Sequence, residues 1–152
     1  MDFWSGLVAV LGIGSATFTA LYGLRAQSRR EAGIRLLEAK VSAYGECTHA
    51  LYEYERSTYD RVKKRLAGRI PSDDREALRQ EAYRANSVAR ACIGRVAVLS
   101  NDEELWRALD HVRESIGQLN RSAAEADLVR SHEAIYVELN DTLKRVREEL
   151  AR

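Results

Sequence analysis

The sequence contains few of the residues that interrupt helices or crosslink a chain. Among 152 residues it has one proline, Pro71, nine glycines and two cysteines. Cys47 and Cys92 belong to no CxxC or Cys/His pattern, so neither a disulfide framework nor a zinc site is expected. We find no convincing strand pattern. The remaining composition, rich in Ala, Leu, Arg and Glu, is typical of an all-α protein.

The sequence also lacks an excess of charge of one sign. Lys and Arg number 24 and Asp and Glu 23, for a net charge of +1. Without a long-range field, nucleic acid is not the expected partner of the domain as a whole. One local exception is the basic stretch RVKKRLAGR, residues 61–69. A nucleic-acid or acidic-lipid patch would explain it, but complementing a helix dipole explains the same residues without a partner and is favoured.

The N-terminal part of the chain carries one long uncharged run. From Phe3 to Leu24 no charged residue occurs, and a helix of that length spans roughly 33 Å, enough to cross a bilayer core. A signal peptide would have a positively charged n-region, which is missing here, and a buried helix seldom needs so long an uncharged stretch. The pattern predicts a transmembrane helix over residues 1–24.

Basic residues follow this run directly. Arg25, Arg29 and Arg30 lie on its C-terminal side, whereas no Lys or Arg precedes it. The positive-inside rule then predicts a single-pass protein of the inner (plasma) membrane, with the N-terminus outside and residues 25–152 in the cytoplasm. In that arrangement the arginines would lie close to the headgroups of the lipid bilayer.

Small residues recur along the same run at alternating spacings of three and four, as in a helix–helix seam. The seam consists of Ser5, Ala9, Gly12, Ala16, Thr19 and Gly23. It predicts self-association in the membrane. The ordinary Gly and Ala content of a span without a partner is the alternative.

The remainder, residues 25–152, reads as four amphipathic helices with short connections. The predicted helices cover residues 25–68, 72–100, 102–119 and 122–151. Gly68 and Pro71 mark the first boundary, and a capping box (Ser100 with Glu103, or Asn101 with Glu104) marks the third helix. Short connections favour an antiparallel cytoplasmic bundle. A parallel coiled coil that continues the membrane seam would couple two chains into one dimer.

The sequence contains few motifs that are typical of catalytic, phosphate-binding or metal-binding sites. The three histidines, His49, His111 and His132, fall on different predicted helices. Glu46-x-x-His49 has the spacing of a di-iron helix motif, but the second pair that such a site needs is missing. No phosphate-binding loop or nucleophile elbow occurs. We therefore expect no enzyme activity, no catalytic residue, no small-molecule substrate, no cofactor and no metal.

A cluster of tyrosines in the first cytoplasmic helix is the most distinctive feature of the bundle. A tyrosine-rich face is typical of a protein interface, because the ring buries area while its hydroxyl stays paired. Packing within the core is the alternative. The candidate interface consists of Tyr44, Leu51, Tyr52 and Tyr59.

The layout of GLVAVLGIGSATFTALYGLRAQSRR followed by a helical domain resembles a known group. It is similar to small single-span membrane proteins of actinobacterial chromosomes, plasmids and prophages, among them plasmid-spread proteins of the Kil type. The resemblance implies an architecture and no catalytic residue. We expect a non-enzymatic, membrane-anchored interaction or scaffold protein that self-associates through span and bundle and binds an unidentified protein partner. The alternative is a plasmid- or phage-type protein whose oligomerised span perturbs or blocks the envelope.

Overall fold

The computed structural model describes the backbone of residues 3–69 and 72–151 and the side chains of residues 27–69 and 74–151. Its helices are α1 (Phe3–Leu66), α2 (Ser72–Leu99), α3 (Glu103–Gln118) and α4 (Glu125–Leu150), and a 3-10 turn, Leu119–Arg121, joins α3 to α4. The chain divides into two compact units, Met1–Glu38 and Ala39–Arg152. The prediction of an all-α helical bundle is confirmed.

The predicted transmembrane helix is contradicted. In the described part of the chain no helix has a stretch that is both long and apolar enough to cross a bilayer. From Gln27 onward α1 carries charged residues every few positions, including Arg29, Arg30, Glu31 and Arg35, which leaves no stretch of about 20 apolar residues. The predicted single-pass topology and inner-membrane location are overturned by the same finding.

The side chains of the predicted membrane seam lie outside the described residues. This applies to Ser5, Ala9, Gly12, Ala16, Thr19 and Gly23, and also to Arg25. Beyond them, Arg29 and Arg30 are exposed on α1. The apolar residues that follow, Ile34, Leu36 and Leu37, are exposed as well. The self-association that the seam of small residues predicts stays a prediction.

Contacts at the two ends of the second unit show how its helices run. Lys40 on α1 binds Glu149 at the end of α4, with 2.6 Å between Nζ and Oε1. At the other end, Arg65 on α1 donates to the carbonyl oxygens of Asn120 and Ser122, just after α3, at 3.0 and 2.8 Å. α1 is therefore antiparallel to α4 and parallel to α3, as short connections between successive helices require.

One continuous hydrophobic core joins the four helices. Its residues recur at spacings of three and four, so each helix turns one apolar face inward. Leu105, Leu109, Val112 and Ile116 supply the face of α3, which is the most clearly amphipathic helix. The other helices contribute Tyr44, Cys47, Leu51, Tyr54, Val62, Ala89, Ile93, Val96, Leu128, Ile135, Leu139 and Val146.

The chain reversals follow from local chemistry at the helix ends. Gly68 has φ +63, and the N–H of Arg69 donates to the carbonyl of Lys64 at 3.0 Å, which is a Schellman ending for α1. α3 begins at a different cap from the two expected. Asp102, not Ser100 or Asn101, accepts from the N–H of Leu105 at 3.0 Å, while the Ser100 hydroxyl accepts from the N–H of Asp102.

Candidate functional site

Four aromatic side chains meet along the contact between α1 and α4, and we call them the aromatic surface. They are Tyr52 and Tyr59 from α1 and His132 and Tyr136 from α4. On each helix the spacing of seven or four residues brings the side chains to one face. Tyr52, Tyr59 and His132 are half-buried, and Tyr136 is exposed. Solvent therefore reaches a row of rings rather than a single one.

A buried carboxylate lies beneath this surface. The Glu55 side chain is 3% exposed, and its Oε1 lies 2.5 Å from Nδ1 of His132. Either the imidazole N–H or a protonated carboxyl can be the donor in this short hydrogen bond. This contact orients the imidazole ring and joins α1 to α4 across 77 positions of sequence.

The rings contact one another in tilted and edge-on arrangements. The His132 centroid lies 4.4 Å from that of Tyr59 and 4.8 Å from that of Tyr136. Tyr52 completes the row, with its centroid 5.9 Å from that of Tyr136. The ammonium of Lys63 lies 5.7 Å from the Tyr59 centroid, within the range of a cation–π contact. These contacts restrain the rings and lower the entropic cost of binding to them.

The surroundings shift the acidities of two groups at this place. Burial raises the pKa of Glu55, while the hydrogen bond from His132 opposes that shift. The pKa of Tyr136 is also raised, chiefly by burial and in addition by the charge of Glu55. Both shifts favour the neutral forms, and they agree with a surface that is partly shielded from water.

The Glu55–His132 pair has neither a nucleophile nor a group of metal ligands beside it in the described part of the chain. A nucleophile aligned by the Glu55–His132 pair would need a hydroxyl or thiol on the imidazole, and no such hydrogen bond occurs among residues 27–69 and 74–151. Over the same residues no group of three His, Cys, Asp or Glu side chains could hold a metal ion. Glu46, the first residue of the Glu46-x-x-His49 pair, binds Arg95 of α2 at 2.6 Å.

The structure separates the four residues of the predicted interface into two pairs. Tyr52 and Tyr59 belong to the aromatic surface. Leu51 is fully buried in the core, and Tyr44 is buried with its hydroxyl donating to Oε2 of Glu149 at 2.6 Å. Burial and that carboxylate raise the pKa of Tyr44 to about 12. An interface role for these residues stays a prediction.

Sequence reasoning missed Glu55, His132 and Tyr136 as members of one site. A usable signal was present, because Glu55 follows Leu51 by four positions and so falls on the buried face of α1. His132 likewise follows Leu128 by four positions on α4. A carboxylate and an imidazole on two inward faces predict that each needs a polar partner. The spacing within one helix does not say that they are partners of each other.

Comparison with known proteins identifies the family of the second unit. The model of the KilB plasmid transfer protein family matches residues 41–150. No protein of curated function and no solved structure matches the chain. The matched segment contains α2, α3, α4 and the whole aromatic surface, and it covers more than half of the chain. It confirms the resemblance to Kil-type proteins, whereas an actinobacterial origin stays a prediction. The chain belongs to the KilB plasmid transfer protein family.

Proposed function

We propose that this chain acts in plasmid transfer as a non-enzymatic helical interaction protein, and that it self-associates through the aromatic surface. A second copy of the chain is the partner to which the proposal commits. A further, different protein would then bind the assembled form. Neither role requires a cofactor or a small-molecule substrate.

The aromatic surface is the single observation that carries the proposal. Tyrosine is enriched in interfaces because its rigid ring buries much area at low entropic cost. Here three tyrosines and a histidine form one row whose rings are held at 4.4 to 5.9 Å between centroids. Tyr136 is 37% exposed although it packs against two of these rings. A row of rings that pack against one another, with one of them exposed, is suited to a protein partner.

The extent of the family match also supports a functional site in the second compact unit. The match spans residues 41–150, and the second compact unit spans Ala39–Arg152. The feature that the family shares is thus the bundle, and all four residues of the aromatic surface lie inside it. A function common to the family should use residues of this unit.

The direct test is the assembly state of the full chain and of two variants. Sedimentation velocity over a concentration series should show a reversible dimer for the wild type. Tyr136→Ala should raise the dissociation constant about thirtyfold, the effect of losing one interface hot spot. Tyr136→Phe keeps the ring and should stay close to wild type. Each protein is first checked for helical content by circular dichroism.

Plasmid transfer should follow assembly in the same variants. Tyr136→Ala should reduce the number of transconjugants when it is the sole copy in the donor strain, and Tyr136→Phe should not. Val98→Ala is the control, since Val98 is 84% exposed on α2, a helix that contributes no residue to the aromatic surface. A monomeric wild type, or transfer that Tyr136→Ala leaves unchanged, would contradict the proposal.

A further inference from the structure

A second candidate site lies where α1 ends and α2 begins. It is a cavity of about 690 Å³, within the usual range for small-molecule sites. Four arginines line it, Arg61 and Arg65 from the last turns of α1 and Arg75 and Arg79 from the first turns of α2. The Schellman ending at Gly68 reverses the chain and so brings the two arginine pairs together.

The two arginines of α1 are held by neutral oxygens. Arg61 donates to the side-chain amide oxygen of Asn120, and Arg65 donates to the carbonyls of Asn120 and Ser122. Among the described residues neither guanidinium lies within ion-pair distance of a carboxylate. The Nε of Arg61 is buried and has no hydrogen-bond partner in that part of the chain.

The α2 side of the cavity adds positive charge that is closer to solvent. Arg75 is exposed. Arg79 shares its guanidinium with Glu76, 3.0 Å away, in a pair that is itself exposed and therefore weak. Among the described residues, four arginines and no Asp or Glu line the cavity. An anion in the cavity would relieve their mutual repulsion.

The rest of the lining fits the non-ionic part of such a ligand. Tyr54, Val62, Ala82 and Tyr83 border the cavity together with two asparagine amides. The guanidinium of Arg79 lies over the Tyr83 ring, 5.9 Å from its centroid. Guanidinium forks match phosphate oxygens in two-point contacts, and an aromatic ring provides a face for a planar group.

We propose that this cavity binds a small phosphate-bearing ligand of nucleotide size, with Arg61, Arg65 and Arg75 contacting the phosphate groups. The ligand is bound and is not chemically changed. Two sources share this chemistry, a nucleoside diphosphate and free inorganic pyrophosphate. Only the nucleoside diphosphate has a planar base that could contact Tyr54 or Tyr83, so these tyrosines would add to its affinity and not to that of pyrophosphate.

Calorimetric titration of the full chain with ADP and, separately, with inorganic pyrophosphate tests the proposal. At least one probe should bind with a dissociation constant below about 1 mM. Tighter binding of ADP would identify a nucleotide, and equal binding of both would identify the phosphate group alone. Failure of both probes to bind would overturn the proposal.

Variants of the lining separate this site from general attraction of anions to a basic surface. Arg75→Gln and Arg65→Gln should each raise the dissociation constant about tenfold, the effect of losing one charge-assisted contact. Arg90→Gln is the control, because Arg90 is an exposed arginine of α2 that does not line the cavity. Arg75 makes no buried contact, so its variant is expected to fold. Wild-type affinity in both lining variants, or an equal loss in Arg90→Gln, would overturn the proposal.

Discussion

Glu55 brings a carboxylate to a place that is 3% exposed, between two helices and under a row of aromatic rings. Its partner is the imidazole of His132, and the charge of Asp60 lies close enough to act on it. Burial raises the pKa of Glu55 and thereby favours its protonated form in the folded chain. The same carboxylate fixes the ring that Tyr59 and Tyr136 pack against, so one residue links stability to the shape of the surface.

The first prediction concerns the pH dependence of stability. The folded chain binds the Glu55 proton more tightly than the unfolded chain, so this group contributes stability at low pH that is lost as pH rises through its raised pKa. Glu55→Gln cannot titrate and should remove this loss. The difference in free energy of unfolding, variant minus wild type, should increase as pH rises from about 4 to about 7.

Urea unfolding of both proteins across that pH range measures the difference. Glu133→Gln is the matched control, because Glu133 is an exposed residue of α4 next to His132. The difference in free energy of unfolding between Glu133→Gln and wild type should change little across this pH range. A flat difference for Glu55→Gln as well would show that the Glu55 carboxylate is not destabilised by burial.

A second residue-scale prediction concerns Lys40. Its ammonium binds Glu149, whose side chain is 7% exposed and also accepts from Tyr44. Lys40→Met would leave that carboxylate with one donor, at a cost of about 1.5–3 kcal/mol in the free energy of unfolding. Chemical denaturation measures the loss.

Lys144→Met tests whether the cost comes from burial rather than from the loss of any lysine. Lys144 binds Asp141 at 2.6 Å, but both side chains are more than 60% exposed. Its removal should change stability by less than about 0.5 kcal/mol. Equal losses in the two variants would contradict the structural difference between the pairs.

At the scale of elements, α3 depends most completely on its packing. It has only 16 residues, yet four of them are buried on one face. Leu109→Ala should therefore lower the free energy of unfolding by about 2–5 kcal/mol through lost burial and the cavity left behind. Val98→Ala removes an exposed side chain and should cost less than about 0.5 kcal/mol. A small loss in Leu109→Ala would show that α3 does not pack as described.

The helices themselves could be predicted from the sequence far better than their junctions or their contacts. Apolar residues at spacings of three and four predicted the buried face of α3, and Gly68 with Pro71 predicted the end of α1. The cap of α3 could not be chosen, because Ser100, Asn101 and Asp102 are all good capping residues and only the path of the chain selects one. The Glu55–His132 contact could not be predicted from the sequence. The spacing of apolar residues shows which side chains face the core, but it does not show which helices pack against each other.

At the scale of the whole chain, the family match and the structure point to the same unit. The match covers residues 41–150, the bundle covers Ala39–Arg152, and both the aromatic surface and the arginine-lined cavity lie within it. The membrane span expected from residues 1–24 is contradicted in the described part of the chain. Both proposed sites lie in the unit that the family match covers, and separate variants can test each of them.

Photo-crosslinking in cells tests most directly the central claim that the aromatic surface joins two copies of the chain. A benzophenone amino acid replaces Tyr136 in one protein and Val98 in a second. The Tyr136 position should give a product with the mass of two 17.2 kDa chains, containing this sequence alone, and the Val98 position should give none. No such product from the Tyr136 position, or equal products from both, would contradict the account.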